Sequence, residues 1–257
     1  MDRRYIEAFL SARRGAIHGS VLEVQDSAYT TRFGGDRVSQ STVVDIDATN
    51  LRATLIADLQ LAGSLPPDSY DCVILTQTLH LLRRPGQCIQ NCFAALRSGG
   101  VLLATAPSVS RVSPTYPEGD LWRFTPAGIA ELFGRYWPGD ITVDAFGNLR
   151  TCMAFLIGEV VEELPDLFLD HHDPRFPLTV TVEATKTPSH RKAPNDPPSD
   201  TALLRRSSSR RSGHPPVFDL CGGSGAERAP TDAPMCCQGS TPGCWHTSDG
   251  PRGARSY

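Results

Sequence analysis

Ser69-Tyr70-Asp71-Cys72-Val73-Ile74-Leu75 and Gly99-Gly100-Val101-Leu102-Leu103-Ala104-Thr105-Ala106 are two short apolar runs on either side of a helix-patterned stretch, residues 85–96. In each run the apolar residues are consecutive rather than alternating, so a strand built from it must be covered on both faces. A strand, a helix and a second such strand make a parallel crossover unit, with a right-handed connection. Upstream, Val21-Leu22-Glu23-Val24, Ser41-Thr42-Val43-Val44-Asp45-Ile46 and Ala53-Thr54-Leu55-Ile56-Ala57 supply three further strands. Residues 2–14 suit an amphipathic helix with Tyr5, Ile6, Phe9 and Leu10 on one stripe. Downstream, residues 125–136 read as a helix capped by Thr125 ahead of Pro126, residues 140–146 as a strand, 152–164 as a helix and 177–186 as a terminal strand. The expected class is α/β: a Rossmann-like, mostly parallel sheet with helices on both faces.

The composition changes at Pro188. Residues 1–187 hold 16 Lys and Arg against 22 Asp and Glu, a net of −6, whereas residues 188–257 are basic and rich in Pro, Gly and Ser, with an Arg-Arg-Ser-Ser-Ser-Arg-Arg run at 205–211. The expected organisation is one folded domain, residues 1–187, and a disordered low-complexity tail, residues 188–257, which has too little apolar surface to offset its chain entropy. An acidic body is a poor match for a phosphate backbone, so nucleic acid is not the expected partner. No run of eighteen apolar residues occurs, which argues against a membrane partner, and residues 1–14 lack the apolar stretch of a secretory leader; the expected location is the cytoplasm. Of eight cysteines, Cys72, Cys88, Cys92 and Cys152 fall in patterned segments and read as small core residues. No CxxC pair is present, and the spacing of Cys221, Cys236, Cys237, Cys244 and His246 fits no structural zinc site. His171 and His172 are adjacent, so on an extended chain they point to opposite sides and make a poor chelate. No metal is expected.

An open parallel sheet binds ligands beyond the carboxyl ends of its strands. The first strand ends in Glu23-Val24-Gln25-Asp26-Ser27, the second in Asp45-Ile46-Asp47, the third in Asp58-Leu59 and the fourth in Thr76-Gln77-Thr78-Leu79-His80. Carboxylates at three successive strand ends suit a ligand with a ribose diol, an amine and positive charge, although single aspartates after strands often serve only as turn formers and helix caps. A GxGxxG dinucleotide fingerprint is missing, which argues against a nicotinamide dehydrogenase.

The ordered series Val21–Val24, Val43-Val44-Asp45-Ile46-Asp47, Ala57-Asp58-Leu59, Ser69–Leu75 and Leu96–Leu103 resembles the successive motifs of class I S-adenosylmethionine-dependent methyltransferases. The nearest likeness is to the type 11 domains often found beside glycosyltransferases. They carry segments similar to Tyr29-Thr30-Thr31-Arg32-Phe33-Gly34-Gly35 and Asp120-Leu121-Trp122-Arg123-Phe124-Thr125-Pro126. The resemblance runs from about residue 2 to residue 187. It implies S-adenosyl-L-methionine as cofactor and methyl transfer, O-methylation being favoured, to a small-molecule or glycan-intermediate acceptor. It places Glu23, Asp26 and Tyr29 in the loop facing the methionine end, Asp47 near the ribose, Asp58 and Leu59 beside the adenine, and Thr76, Gln77 and His80 between cofactor and acceptor. Asp45 is expected to turn one step away from the strand tip.

One position departs from the family. Gln25 stands where the relatives carry glycine, which tolerates unusual dihedrals and lets a ligand approach the backbone. Strain there of roughly 1–3 kcal/mol, if it opposed cofactor binding, amounts to roughly five- to 150-fold in affinity. The alternative to an enzyme is therefore a non-catalytic protein of this fold with a decayed cofactor loop. His80 is the candidate general base for a hydroxyl acceptor, against the plainer reading that it packs or caps the following helix. Tyr116, Asp120, Trp122 and Arg123 lie on a proline-rich loop placed to cover an acceptor; Trp122 would either stack on it or anchor the loop.

Overall fold

The computed structural model describes residues 1–187. The expected disordered tail, residues 188–257, lies outside the described residues. Seven strands form one sheet: β1 (Gly19–Val24), β2 (Val38–Asp45), β3 (Leu55–Ile56), β4 (Tyr70–Thr76), β5 (Leu96–Pro107), β6 (Asp140–Phe146) and β7 (Thr179–Thr185). Their order is β3-β2-β1-β4-β5-β7-β6. Strands β1 to β5 are mutually parallel, and β7 runs antiparallel between β5 and β6. The sheet is thus mostly parallel and Rossmann-like.

The strands that read as apolar on both faces are covered on both. Val73 and Leu75 of β4, with Leu22 and Leu102, face the core shared with α2 (Pro85–Ala95) and α3 (Pro126–Tyr136), where Cys88, Ile89, Cys92, Ile129 and Phe133 pack. Cys72 and Ile74, with Val21 and Leu103, face Ile6, Phe9 and Leu10 of α1 (Asp2–Ala12). Cys72, Cys88, Cys92 and Cys152 are all buried free thiols. Helix α3 starts as its sequence dictates: Thr125 Oγ1 accepts from the Gly128 N–H at 3.0 Å, with Pro126 at the first helical position.

Two expectations need correction. Residues 152–164 are not one helix. Asn148 starts α4 (Leu149–Ile157) earlier, its side chain accepting from the Thr151 N–H while Thr151 Oγ1 accepts from the Asn148 N–H. Gly158, at a φ of 82°, then stops it in the left-handed conformation that glycine reaches without a Cβ clash. A turn at Val161–Glu163 and the short α5 (Asp166–Asp170) follow. The strand expected over 53–57 shrinks to Leu55–Ile56, an edge strand paired only with Val44 and Asp45.

Candidate functional site

Beyond the carboxyl ends of β1, β2 and β4 lies a cleft of about 860 Å³. It is lined by Glu23 near the end of β1 and by Gln25, Asp26 and Tyr29 of the segment after it. One wall carries Val44, Asp45, Asp58 and Leu59; the other carries Thr76 and Gln77. Asp2, Arg3 and Ile6 of α1 and Tyr116 of the loop after β5 overhang it. The structure therefore gathers eight of the nine anticipated cofactor positions into one cavity.

The ninth, Asp47, does not line it. Strand β2 ends at Asp45, so Asp45 stands at the tip and lines the cleft, while Asp47 lies in the exposed turn beyond. The Asp47 carboxylate accepts from the Thr49 N–H at 2.8 Å and from Thr49 Oγ1 at 2.7 Å, bonds that hold its pKa below the usual carboxylate value. The expectation that Asp45 turns away assumed a strand one residue longer.

The segment after β1 is shaped by two features. Glu23 is 2% exposed, and its carboxylate accepts from the backbone N–H groups of Tyr29, at 3.1 Å, and Thr30, at 2.7 Å. Burial pushes its pKa up, and these bonds to the ionised form oppose the push. Glu23 thus folds the loop by capping the helical turn that begins beside Tyr29. Next to it, Gln25 has a φ of 74°, the left-handed region that favours glycine. Its conformation is held on both sides: its N–H donates to the Val44 carbonyl at 2.9 Å, and its carbonyl accepts from Asn50 Nδ2 at 2.8 Å. Asn50 Nδ2 also donates to Asp45 at 2.6 Å, which ties the ends of β1 and β2 together.

Asn91, buried on α2, donates through Nδ2 to the Leu59 and Leu61 carbonyls at 2.9 and 2.7 Å, and its Oδ1 accepts from the Gly63 N–H at 3.1 Å. It fixes the loop that carries Asp58 and Leu59. The signal in the sequence was a polar residue inside the apolar stripe of residues 85–96, next to Cys88 and Cys92. Gln77 is a second non-glycine residue at positive φ, 46°, with its N–H held by the Thr105 carbonyl at 2.9 Å.

Gln77, Leu81 and Asp2 also line a second cavity, of about 380 Å³, so the two spaces share a boundary. Its remaining walls are His80, Asp120, the segment from Pro107 to Pro114, Phe155 of α4, and Leu178 and Thr179 at the start of β7. His80 is half-buried, and burial lowers its pKa while the Asp120 carboxylate opposes the shift. Among the described residues its buried Nδ1 has no hydrogen-bond partner. The backbone of His80 is committed, its carbonyl accepting from the N–H groups of Leu121 and Trp122 at 3.0 and 3.1 Å.

The loop after β5 is clamped from within. The Arg123 guanidinium pairs with Asp120 and donates to the Arg111 carbonyl, while the Ser113 N–H donates to Asp120 Oδ2. The guanidinium, with this N–H, holds the Asp120 carboxyl down at about 2. Trp122 Nε1 donates to the Leu82 carbonyl at 2.8 Å, anchoring the loop beside His80. Trp122 and Arg123 line neither cavity, whereas Asp120 lines the smaller one and Tyr116 the larger. Away from both, His172 packs against Tyr5 and Phe146. No helix among the described residues is long and apolar enough to cross a membrane.

Residues 21–104 match the family described as a methyltransferase domain. That segment contains most of β1, all of β2 to β4 and most of β5, the part of the sheet whose strand ends carry the larger cleft. No curated protein matches the sequence significantly. Among solved structures, the chain is similar to one from the complex between the Haloferax volcanii Trm112 methyltransferase activator and a methyltransferase, at 16% identity and a TM-score of 0.53 over 73% of this chain and 92% of that one. It is also similar to a SAM-dependent methyltransferase from Archaeoglobus fulgidus, at 13% identity and a TM-score of 0.48 over 72% and 94%. At its identity the likeness to the first of these is one of fold alone. The cofactor implied by the family match is S-adenosylmethionine.

Proposed function

We propose that this protein methylates a hydroxyl of a small-molecule or glycan-intermediate acceptor. The observation that carries the proposal is the shared boundary: a large cleft with carboxylates at three strand ends meets, at Gln77 and Leu81, a smaller chamber lined by a half-buried histidine. The larger cleft fits the cofactor in size and in donor set. Its volume lies within the range of about 300–1,000 Å³ usual for small-molecule sites, and Asp26, Asp45 and Asp58 offer acceptors for ribose hydroxyls, an amine and a cationic centre. In this reading Asp45 rather than Asp47 takes the ribose, Asp58 and Leu59 flank the adenine, and Glu23, Gln25, Asp26 and Tyr29 form the methionine end, with Thr76 and Gln77 closing the side toward the chamber. The bound cofactor supplies an already activated methyl group.

What remains for the chain is alignment and one proton. Alignment comes from the backbone held at Gln25 and Gln77. The proton of the acceptor hydroxyl passes to the half-buried ring of His80. Asp120, kept ionised by Arg123, then stabilises the charged ring. The net charge of −6 over residues 1–187 favours a small acceptor over nucleic acid. A second reading, a non-catalytic protein with a decayed cofactor loop, is favoured by the left-handed Gln25.

Calorimetric titration of wild type and Gln25→Gly with S-adenosylmethionine and S-adenosylhomocysteine separates the two. Binding by both proteins supports the enzyme. Binding by the glycine variant alone identifies a decayed loop, and binding by neither sinks the cofactor assignment.

A further inference from the structure

Helix α4 reads Leu-Arg-Thr-Cys-Met-Ala-Phe-Leu-Ile, and its single charge, Arg150, is engaged by both carboxylate oxygens of Glu159. The inner side of the helix is buried through Thr151, Cys152 and Ala154. The outer side is apolar as well. Leu149, Met153, Leu156 and Ile157 are between 51% and 72% exposed, and so is Val160 just past the Gly158 stop. Steps of four, three and one residues set the four helical side chains on one stripe. A helix that is apolar all round belongs in an interior, and a contiguous apolar patch marks a surface that another molecule covers.

The charges around the stripe narrow the choice of occupant. An anionic lipid surface calls for lysines and arginines beside the apolar face, whereas the chain that follows α4 carries exposed Glu162, Glu163, Asp166 and Asp170. A groove of about 570 Å³ continues the stripe, lined by Leu156, Ile157 and Val160. Of its three charged side chains, Glu159 is paired with Arg150, while Arg111 and Glu162 make no ion pair among the described residues. A surface with one unmet charge of each sign beside an apolar stripe is self-complementary. Turned about a twofold axis, it offers Arg111 to Glu162 and Glu162 to Arg111, as an isologous contact requires. A partner of one sign would satisfy one of these charges and repel the other. The area is also of the right order. Five large apolar side chains, each at least half exposed, present on the order of 500 Å², the greater part of the roughly 800 Å² that each partner gives to a standard interface.

We infer that the outer face of α4 is the centre of a twofold dimer of this chain. The two copies pack α4 against α4 through Leu149, Met153, Leu156 and Ile157, and Arg111 of each protomer meets Glu162 of the partner subunit. Phe155, on the same helix, lines the smaller chamber, so the contact also braces one wall of that chamber.

The test is sedimentation velocity of the full chain under reducing conditions, which keep its eight cysteines from cross-linking. Concentrations run up to about 100 μM, enough to populate the weakest interfaces of this size. Wild type is expected to sediment as a dimer at the upper end. Ile157→Asp changes a side chain that is 72% exposed in the single chain, so its circular dichroism spectrum should match that of wild type. It is expected to weaken the dimer by at least about 30-fold, the loss of one hot-spot side chain. Arg111→Glu and Glu162→Arg are each expected to weaken it roughly tenfold, since every substitution counts twice about the axis, and the two together to restore it. A wild type that stays monomeric throughout overturns the inference. So does a dimer that survives Ile157→Asp, one that the single reversals leave unchanged, or one that the double reversal fails to repair. Monomeric wild type that sediments with phosphatidylglycerol–phosphatidylcholine vesicles, and ceases to do so as Ile157→Asp, makes the stripe a membrane contact and overturns the dimer.

Discussion

Replacing Gln25 by glycine separates two places where strain in the cofactor loop can act. The family resemblance alone suggested that a non-glycine residue here opposes the ligand. In the structure, Gln25 holds a φ of 74°, and both its backbone groups are bonded within the fold, to Val44 and Asn50. Because both bonds are made within the folded chain, the strain is expected to belong to folding and to be common to the free and liganded states. A non-glycine residue in the left-handed region costs about 1–2 kcal/mol. Glycine removes that but loses about 0.4–1 kcal/mol through the greater freedom of the unfolded chain. The net expectation is a gain of roughly 0.5–1 kcal/mol, which for a domain of this size raises Tm by about 1–4 °C. Affinity for S-adenosylhomocysteine should change by less than about threefold, because a strain common to both states cancels from the binding free energy. Thermal unfolding and calorimetric titration measure the two effects. Gln25→Ala retains the Cβ and should show no gain in Tm; Gln25→Asn, whose side chain tolerates this region, should fall between. An unchanged Tm together with a tenfold or larger gain in affinity would refute this reasoning, since it would place the strain in binding after all.

Other outcomes follow from the same geometry. Glu23→Gln keeps the size but turns one acceptor oxygen into a donor facing the Tyr29 and Thr30 N–H groups, so stability should fall by about 2 kcal/mol and amide exchange should quicken over residues 26–34. Asn91→Ala leaves the Leu59 and Leu61 carbonyls and the Gly63 N–H without their partner; stability should drop by roughly 2 kcal/mol and S-adenosylhomocysteine should bind more weakly, both measurable on one sample by denaturant unfolding and titration. Asp120, held at about 2 by Arg123, titrates below the unfolded value of about 3.9, so its stabilising contribution is complete above that value and disappears as the pH falls toward 2. Wild type should therefore lose stability relative to Asp120→Asn across that window, and acid titrations of the two proteins that run parallel would count against the clamp.

Local pattern was enough for the parts of this protein that rest on local physics. The consecutive apolar residues of β4 and β5 demand cover on both faces, and Val73 with Leu75 against Cys72 with Ile74 supply the two faces. Thr125 and Pro126 start a helix through a bond three residues away. The acidic strand ends converge because parallel strands present their carboxyl ends to one side of a sheet. The sequence also singled out Gln25, since glycine is the residue type most closely tied to a positive φ. Its reach ended where a feature depends on how far a strand runs or on what meets it from elsewhere in the chain. Pairing with Leu55 and Ile56 ends β2 at Asp45, and that single residue decides that Asp45 rather than Asp47 lines the cleft. Whether Gln25 strains the fold or the ligand depends on bonds from Val44 and Asn50. Thr179 belongs to a strand with ordinary alternation, and nothing near it in the chain marks it. Only the insertion of β7 between β5 and β6 brings Leu178 and Thr179 into the same chamber as His80 and Asp120, because a cavity wall is assembled from segments that the fold, not the chain order, makes neighbours.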